Sequence, residues 1–315
     1  MTEVQTTTVP FMHTEIDMFE ALRSRVSPET VIRRQEALAK RTTLRVGGPA
    51  DIYVEPASVE NLSAVVRFCQ EQKFPYVVLG RGSNLLVKDG GFRGVVISLA
   101  NPHFSRIEVA GEHLSCGAGA RLKAVAFEAK RHELAGLEFL EGIPGTIGGG
   151  LRMNAGAMRG EIFQVVESVR VMDPSGCVQE RSPGQLQVQY RSCPTLKTHI
   201  ALGAVLRGIP GPMEEIEQRM KEFSRKRWSS QPAAPSAGCI FKNPITIPAG
   251  KLIDELGLKG TRVGGAYVSE EHGNFIVNDG TATAQDVLDL IDLIRQRARS
   301  QRGIELDTEV EMLGD

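Results

Sequence analysis

The chain has 315 residues, of which 41% are hydrophobic and 24% are charged, and its formal net charge is −1 at pH 7. These values are ordinary for a globular protein with about two domains, or three small ones. The balanced charge lacks the basic surplus that nucleic-acid binding requires, so we expect no nucleic-acid partner. No apolar run approaches the roughly 20 residues of a membrane span, and residues 1–12 lack both the basic and the apolar part of a signal peptide. We therefore expect a cytoplasmic protein without membrane association.

The five cysteines include no CxxC pair, which predicts reduced thiols rather than a disulfide framework. The six histidines show neither HxxxH nor HExxH spacing, so we expect no metal site. Nothing in the sequence points to an obligate protein partner.

The first third of the chain has the pattern of a small α/β unit. Residues 28–39 predict a helix in a lead-in segment, and residues 51–54 predict a strand. Ser58 is a suitable N-cap for an amphipathic helix. Two apolar runs bounded by glycines, 77–79 and 95–97, predict buried strands that complete a β-α-β unit.

The middle of the chain predicts a mixed α+β region. A strand at 114–116 precedes a helix at 121–135, which Gly136 is expected to close. After a long glycine-rich loop, strands are expected at 168–172 and 200–206. The apolar alternation of the last strand predicts an antiparallel strand with one exposed face.

The last third begins with a helix after Pro212 and a proline-rich loop at 231–238. A strand at 275–278 then leads into the strongest helical pattern of the chain. Thr283 is its expected N-cap and Gly303 its expected end.

Two glycine-rich loops are candidates for binding a diphosphate group. They are GRGSNLL at 80–86 and GIPGTIGGG at 142–150. Glycines allow a phosphate to approach backbone N–H groups, and two loops that meet could hold a diphosphate from both sides. Taken singly, each loop is as commonly a structural turn. Neither is a Walker loop, and neither the 80–86 loop nor the glycine pair at 117 and 119 completes GxGxxG, so a Rossmann site is disfavoured.

The segment SAGCIFKNP at 236–244 is a third candidate. Gly238 permits a tight turn that would present the Cys239 thiol, and Lys242 and Asn243 could contact an anion or an amide. The alternative interpretation, a buried cysteine in a strand, is the commoner one for a free cysteine. The basic run at 225–227 fits either a solvated helix end or an anion site.

Nine motifs occur in one order between about residue 40 and the C-terminus. They are RVGGPAD (45–51), GRGSNLL (80–86), EGIPGTIGG (141–149), MNAGA (153–157), YRS (190–192), AGCIFKNP (237–244), GLKG (257–260), NFIVN (274–278) and LDTEV (306–310). This series resembles the UDP-N-acetylenolpyruvoylglucosamine reductase (MurB) family. The short stretch between Arg191 and Ile216 resembles the shorter branch of that family, which lacks a substrate-closing insertion. Three positions depart from the family pattern, namely 41–42, 150–152 and Cys239, where serine is common.

The resemblance implies an α+β protein with a two-part, non-Rossmann FAD-binding region and a third, α/β substrate-binding domain. The first FAD-binding part would be a small α/β domain at 1–105, and the second an α+β domain at 106–211. The substrate-binding domain would cover 212–302. Residues 303–315 are expected to return to the second part.

The same resemblance assigns site residues. The catalytic residues would be Arg191, Cys239 and Glu309, and the substrate contacts would be Arg227, Lys242 and Asn243. The implied FAD contacts are Gly80, Arg81, Gly82, Ser83, Asn84, Leu85, Pro144, Gly145, Thr146, Gly148, Gly149, Asn154, Ala155 and Gly156.

The implied reaction is a step of peptidoglycan synthesis. NADPH would reduce noncovalently bound FAD, and flavin N5 would then pass hydride to UDP-N-acetylglucosamine enolpyruvate, giving UDP-N-acetylmuramate. Arg191 would hold the substrate carboxylate, Glu309 would assist its polarisation, and Cys239 would donate the proton. A thiol with an ordinary pKa of ~8.5 predicts a loss of activity at alkaline pH. Two alternatives remain open from the sequence: a flavin enzyme with another substrate, such as an oxidase, and a non-catalytic flavin-binding or redox-sensing protein.

Overall fold

The computed structural model describes residues 17–315. The expectations for residues 1–16, namely the missing signal peptide and the start of the first predicted domain, lie outside the described residues. The α-helices of residues 17–315 are α1 (Met18–Arg23), α2 (Val59–Gln72), α3 (Leu122–Arg131), α4 (Ile147–Arg152), α5 (Thr195–Thr198), α6 (Met213–Trp228), α7 (Ala249–Glu255) and α8 (Ala284–Arg302). Short 3-10 helices cover Leu38–Arg41, Pro102–Phe104, Glu138–Gly142, Ile162–Gln164 and Pro183–Gln185.

The strands of the same residues belong to three main sheets and three two-stranded ladders. In chain order they are β1 (Val31–Ala37), β2 (Pro49–Glu55), β3 (Tyr76–Leu79), β4 (Leu85–Val87), β5 (Phe92–Ser98), β6 (Ile107–Ala110), β7 (His113–Gly117), β8 (Leu134–Ala135), β9 (Gly156–Ala157), β10 (Gly160–Glu161), β11 (Val166–Met172), β12 (Val178–Arg181), β13 (Ile200–Arg207), β14 (Ile209–Pro210), β15 (Ser236–Cys239), β16 (Arg262–Val263), β17 (Ala266–Val268), β18 (Phe275–Asn278) and β19 (Glu311–Leu313). This mixture of helices with largely antiparallel sheets confirms the predicted α+β class.

The first sheet has the order β1-β2-β5-β3, with β5 parallel to both of its neighbours. Helix α2 crosses over between β2 and β3, and Ser58 caps it by accepting a hydrogen bond from the Asn61 backbone N–H. The predicted strands, cap and buried helix face of this unit are confirmed. Because β3 ends directly before the glycine-rich loop at 80–86, this sheet delivers that loop to its carboxyl edge.

The helix predicted at 28–39 is wrong. Residues 31–37 form β1, an edge strand paired antiparallel with β2, and a 3-10 helix follows at Leu38–Arg41. The arginines, glutamate and alanine of this segment favour a helix in isolation. Pairing with β2 supplies a full ladder of backbone hydrogen bonds, and it outweighs that local preference.

The second sheet is antiparallel, with the order β12-β11-β13-β7-β6. The predicted strands at 114–116, 168–172 and 200–206 are confirmed, but the expectation that β13 has an exposed face is wrong. Residues 200–204 are all buried, because β13 is the middle strand and its two faces pack against different hydrophobic cores.

The structure shortens the predicted helix at 121–135. Helix α3 ends at Arg131, and Glu133 takes a left-handed φ of 55°. The next two residues leave the helix because β8 pairs with β14. The expected long loop at 142–150 also contains structure, since α4 begins at Ile147 behind the N-cap Thr146.

The third sheet, β15-β18-β17-β16, packs against α7 and α8. Thr283 caps α8 in a reciprocal pair with Asp286, and Gly303 ends the helix with a left-handed φ of 64°. The predicted strand at 275–278 and the predicted bounds of α8 are confirmed.

The predicted domain limits of 1–105, 106–211 and 212–302 stay a prediction, and packing adds two facts to them. Ile216 and Met220 of α6 belong to the core of the second sheet. Leu306 and Val310 belong to the core of the third sheet, and β19 then pairs in parallel with β4. The C-terminal segment therefore contacts both the third sheet and the strand that continues the glycine-rich loop at 80–86.

None of the helices within residues 17–315 is long and apolar enough to cross a membrane. The five cysteines all lie in the described part of the chain, and none of them is disulfide-bonded.

Candidate active site

A cavity of about 930 Å³ lies between the first and second sheets. Its walls come from β3, from the two ends of β5, from residues 118–121 after β7 and from the start of β13. Both glycine-rich loops contribute to it through Gly80 and Arg81 on one side and Thr146, Gly148 and Gly149 on the other. Three of the four residues of β3 are partly exposed, and all four line this cavity.

The two glycine-rich loops meet at the cavity wall, as the sequence predicted for a diphosphate cradle. A Cβ atom added to Gly80 would lie 3.0 Å from the Thr146 hydroxyl, and one added to Gly148 would lie 3.1 Å from the Ala118 Cβ. A side chain at Gly80 would crowd the second loop at Thr146, and one at Gly148 would crowd Ala118. The bare backbone and the large cavity beside it fit a dinucleotide such as FAD, with the loops positioned to hold its diphosphate.

Several predicted cofactor contacts do not line this cavity. Residues 82–85 continue the first loop into β4, and residues 144–145 precede the part of the second loop that lines the cavity. Gly82 is buried, and a Cβ there would lie 2.6 Å from the Arg41 carbonyl oxygen. Asn84 donates a hydrogen bond of 3.0 Å to the Glu309 carbonyl oxygen. The roles of these residues in FAD binding stay predictions.

Residues 154–156 lie beside Arg191. The Asn154 carbonyl oxygen accepts from the Arg191 guanidinium at 3.4 Å, and the Gly156 carbonyl oxygen does so at 3.4 Å. A Cβ on Gly156 would lie 3.0 Å from Nη1 of Arg191. In the structure this segment, which includes Ala155, therefore makes room for a catalytic candidate.

Sequence reasoning missed a large part of the cavity wall. Residues 98–100, 118–121 and 197–201 all contribute to it. The Gly117-x-Gly119 pair was a usable signal, since a Cβ on Gly119 would lie 2.0 Å from the Leu99 carbonyl oxygen. The pair does not match GxGxxG, but it lets two chain segments approach closely at the cavity edge.

The three predicted catalytic residues converge from three distant parts of the chain. Nε of Arg191 lies 3.4 Å from Oε1 of Glu309. The charges of both residues act on the Cys239 thiol. Because the fold brings these three residues together, they form a candidate active site.

The backbone around Cys239 explains how the thiol reaches this site. Gly238 takes a left-handed φ of 76°, and the register of β15 against β18 shifts between Ser236 and Cys239. The Glu309 N–H donates to the Ile240 carbonyl oxygen at 2.8 Å, so the cysteine and glutamate segments run side by side. The buried Asn274 exchanges hydrogen bonds of 2.9 and 2.8 Å with the Phe241 backbone. Asn274, the first residue of the NFIVN motif, thus supports the segment that carries Cys239, a role that the sequence did not assign to it.

Electrostatics keep the Cys239 thiol protonated. Burial raises its pKa to about 12, and the Glu309 carboxylate acts in the same direction, while Arg191 and a hydrogen bond with Asn274 oppose the shift. Burial also raises the pKa of Glu309, which Arg191 and Lys242 partly offset. The site therefore holds a neutral thiol beside a guanidinium and a carboxyl group.

A second cavity, of about 320 Å³, opens beside the thiol. Cys239, Asn243 and Asn274 line it together with both basic and acidic side chains, namely Lys251, Lys259, His272, Asp254 and Glu271. The predicted substrate residue Asn243 thus borders the same space as the thiol. Its Oδ1 also accepts a hydrogen bond of 3.0 Å from the Ala249 N–H.

The other two predicted substrate contacts, Arg227 and Lys242, are cations. Lys242 is near enough to Glu309 to lower its pKa. Arg227, at the end of α6, donates a hydrogen bond to the Gly142 carbonyl oxygen. Burial lowers the pKa of Arg227, and Glu141 partly offsets this shift. Substrate contact by Arg227, Lys242 and Asn243 stays a prediction.

Two family models match the chain. The one described as "FAD binding domain" covers residues 50–182, and the one described as "UDP-N-acetylenolpyruvoylglucosamine reductase, C-terminal domain" covers residues 231–313. The curated reductase of that name from Clostridium novyi is 41% identical over 95% of this chain and 97% of its own length. The one from Clostridioides difficile is 43% identical over 90% of this chain and 94% of its own length.

A solved structure of UDP-N-acetylenolpyruvylglucosamine reductase (MurB) from Thermus caldophilus is similar throughout. Its TM-score is 0.79 at 41% identity, and the match covers 90% of this chain and 100% of that chain. The fold and the FAD-binding match define a flavin-dependent oxidoreductase. The chain belongs to the UDP-N-acetylenolpyruvoylglucosamine reductase (MurB) family, and its reaction is the FAD-dependent reduction of the enolpyruvyl sugar nucleotide in peptidoglycan synthesis.

Proposed function

We propose that the chain uses NADPH as its electron donor and that Arg191, Glu309 and Cys239 carry out the substrate half of the reaction. The observation that supports this assignment is their convergence: Arg191 and Glu309 lie 3.4 Å apart, and both act on the Cys239 thiol. Bound FAD supplies the two-electron chemistry. The steps left to the protein are to hold the substrate, to stabilise developing charge and to deliver one proton.

Arg191 binds the substrate carboxylate. A guanidinium keeps its charge at any working pH and donates N–H groups in fixed directions to a carboxylate. As electrons enter the enolpyruvyl double bond, negative charge develops toward that carboxylate, and Arg191 stabilises it. Glu309, whose raised pKa reflects its burial, polarises the same end of the substrate.

Cys239 delivers the proton to carbon. Its thiol remains protonated because burial raises its pKa to about 12. A thiol with such a pKa gives up its proton only to a strongly basic centre, which a developing carbanion is. Arg191 and Asn274 both favour the charged form of Cys239, so they stabilise the thiolate that remains until solvent restores the proton.

Arg227, Lys242 and Asn243 extend the site toward the sugar nucleotide. Asn243 borders the second cavity. The two cations, Arg227 and Lys242, supply positive charge for the anionic groups of the sugar nucleotide. We propose a cytoplasmic location, which the five unpaired cysteines support because an oxidising compartment favours disulfides. No obligate partner is needed in this scheme, since one chain supplies all three catalytic candidates.

The test follows the two halves of the reaction separately. Under anaerobic conditions NADPH bleaches the flavin absorbance of the purified protein, and UDP-N-acetylglucosamine enolpyruvate then restores it with formation of UDP-N-acetylmuramate. NADH serves as the comparison for donor preference. Rapid reoxidation by oxygen but none by the enolpyruvyl nucleotide would instead indicate an oxidase, and a flavin that NADPH never bleaches would indicate a protein without this activity.

A further inference from the structure

Arg191 sits at the tip of a tight turn in a conformation that needs support. Gln189 and Ser192 exchange backbone hydrogen bonds of 2.8 and 3.2 Å across this turn. Arg191 itself has a left-handed φ of 52°, which residues with a Cβ rarely adopt. Such a conformation persists only where its surroundings hold it in place.

A two-residue hairpin supplies one side of that support. Strands β9 and β10 are joined by Met158 and Arg159, which both have positive φ, as this kind of turn requires. The pairing sets Glu161 opposite Gly156. In this position Oε1 of Glu161 lies 3.3 Å from Nη1 of Arg191.

Asn154 connects the hairpin to the turn. Its side chain is buried, and its Nδ2 donates hydrogen bonds of 3.1 Å to Oε2 of Glu161 and 3.1 Å to the Gln189 carbonyl oxygen. One buried amide therefore fixes both the turn that carries Arg191 and the carboxylate that pairs with it. Glu161 uses one oxygen for Arg191 and the other for Asn154.

The contacts of Arg191 leave one donor free among the described residues. The guanidinium has five N–H groups. Nε faces Glu309, Nη1 faces Glu161 and the Asn154 carbonyl oxygen, and Nη2 faces the Gly156 carbonyl oxygen. Within residues 17–315 this leaves one hydrogen on Nη2 for a ligand.

We propose that Glu161 is a positioning residue, which holds the Arg191 guanidinium so that this remaining N–H meets the substrate carboxylate. The inference rests on the proposed role of Arg191. Without the Glu161 charge the guanidinium can rotate toward Glu309, and the productive orientation is lost. Its positive charge is then balanced by one carboxylate instead of two, so attraction of the substrate carboxylate does not weaken. A slower reaction with unimpaired substrate binding is the resulting signature.

The direct test is Glu161→Gln. A glutamine offers one acceptor oxygen to two donors, Arg191 and Asn154, so it cannot satisfy both. We expect reoxidation of the reduced flavin by the enolpyruvyl nucleotide to slow about tenfold, with the half-saturating substrate concentration unchanged or lower. Flavin reduction by NADPH should stay within about twofold of wild type.

Glu167→Gln is the matched control. The Glu167 side chain is 38% exposed, close to the 34% of Glu161, and it also pairs with basic side chains, His113 and Arg207. Both half-reactions should be unchanged in this variant. If Glu161→Gln matches Glu167→Gln in reoxidation rate, or if it raises the half-saturating concentration as much as it lowers the rate, the proposal is overturned.

A double-mutant cycle separates positioning from general structural damage. In an Arg191→Lys background there is no guanidinium group for Glu161 to orient. Adding Glu161→Gln should therefore change the reoxidation rate by less than about twofold. If the two substitutions instead slow reoxidation by independent factors that multiply in the double variant, the proposal is overturned. Should the glutamine variant fail to retain FAD, Glu161→Asp takes its place in the same cycle, because it keeps the charge and shortens the reach. A wild type that the enolpyruvyl nucleotide cannot reoxidise would mean that the proposed function has failed, and not merely the role of Glu161.

Discussion

At the scale of single residues, the environment of Cys239 changes the expected behaviour of a thiol acid. From its ordinary pKa we expected alkaline inactivation through ionisation of the thiol. Burial and the neighbouring Glu309 instead raise the pKa of Cys239 to about 12. The protonated form, which the reaction needs, is therefore present throughout the pH range in which the protein can be assayed.

This shift predicts a flat pH response for the thiol. An acid is active below its pKa, so a folded pKa of about 12 preserves the proton donor at pH 10 and below. Between pH 7 and pH 10, flavin reoxidation in wild type should run parallel to that in Cys239→Ser. The measurement is the rate constant of the substrate half-reaction in both proteins across pH. A loss in wild type centred near pH 8.5–9, absent from the serine variant, would show that the thiol titrates as an exposed one.

Substitution of Arg191 should slow one half of the reaction much more than the other. Arg191→Lys keeps a positive charge but loses the planar guanidinium group, whose N–H donors pair with a carboxylate. Oxidation of the reduced flavin by substrate should slow by ~10²–10³-fold, while reduction by NADPH changes far less. Rapid mixing under anaerobic conditions measures each half separately. Equal slowing of both halves would make Arg191 a structural residue.

At the scale of elements, local signals predicted most helices and strands, and tertiary contacts explain the exceptions. Thr283 and Gly303 marked the ends of α8 because capping depends on neighbours in the sequence. The segment at 31–37 was wrongly predicted as a helix because its conformation depends on pairing with the distant β2. Likewise, nothing near β13 in the sequence indicates that it lies between two cores.

The same reasoning applies to the site. Its motifs were recognisable as short local patterns, whereas the supporting roles of Glu161 and Asn274 depend on contacts with distant segments. Their side chains are ordinary, and only the fold gives them a role. Residues 118–121 were missed for the same reason, because they line the cavity only after the first and second sheets pack against each other.

A substitution in the glycine-rich loop at 142–150 should impair FAD binding without impairing folding. A Cβ on Gly149 would meet only the Thr146 hydroxyl, at 3.6 Å, so the backbone accepts a side chain there. Because Gly149 lines the large cavity, the branched side chain of Gly149→Val should occupy space that FAD requires. We expect a folded protein with little bound flavin. Absorbance of the purified protein, before and after heat release of FAD, measures this.

Gly184→Val is the control for that change. A Cβ on Gly184 would meet nothing within 4 Å, and the residue does not line the large cavity. This variant should be yellow and should release FAD on heating, as expected for a noncovalent cofactor. Full flavin content in Gly149→Val would contradict the placement of FAD at this loop.

At the scale of the whole molecule, the site depends on all three sheets. The first sheet supplies the loop at 80–86, the second supplies Arg191, and the third supplies Cys239 and the support of Glu309. The parallel pairing of β19 with β4 brings the C-terminal segment back to this point. Between Arg191 and Ile216 the described structure has α5, β13, β14 and the start of α6, which fits the resemblance to the shorter family branch.

The most direct test of this account is the rate of flavin reoxidation by the enolpyruvyl nucleotide in wild type, Cys239→Ala and Cys239→Ser, each first reduced with NADPH without oxygen. If Cys239 donates the proton, the alanine variant should lose ~10²–10⁴-fold in this step, and the serine variant should recover much of that loss because its hydroxyl occupies the same place. Flavin reduction should remain similar in all three proteins. Reoxidation of the alanine variant at nearly the wild-type rate would contradict the account, because it would leave Cys239 as an inert, packed thiol.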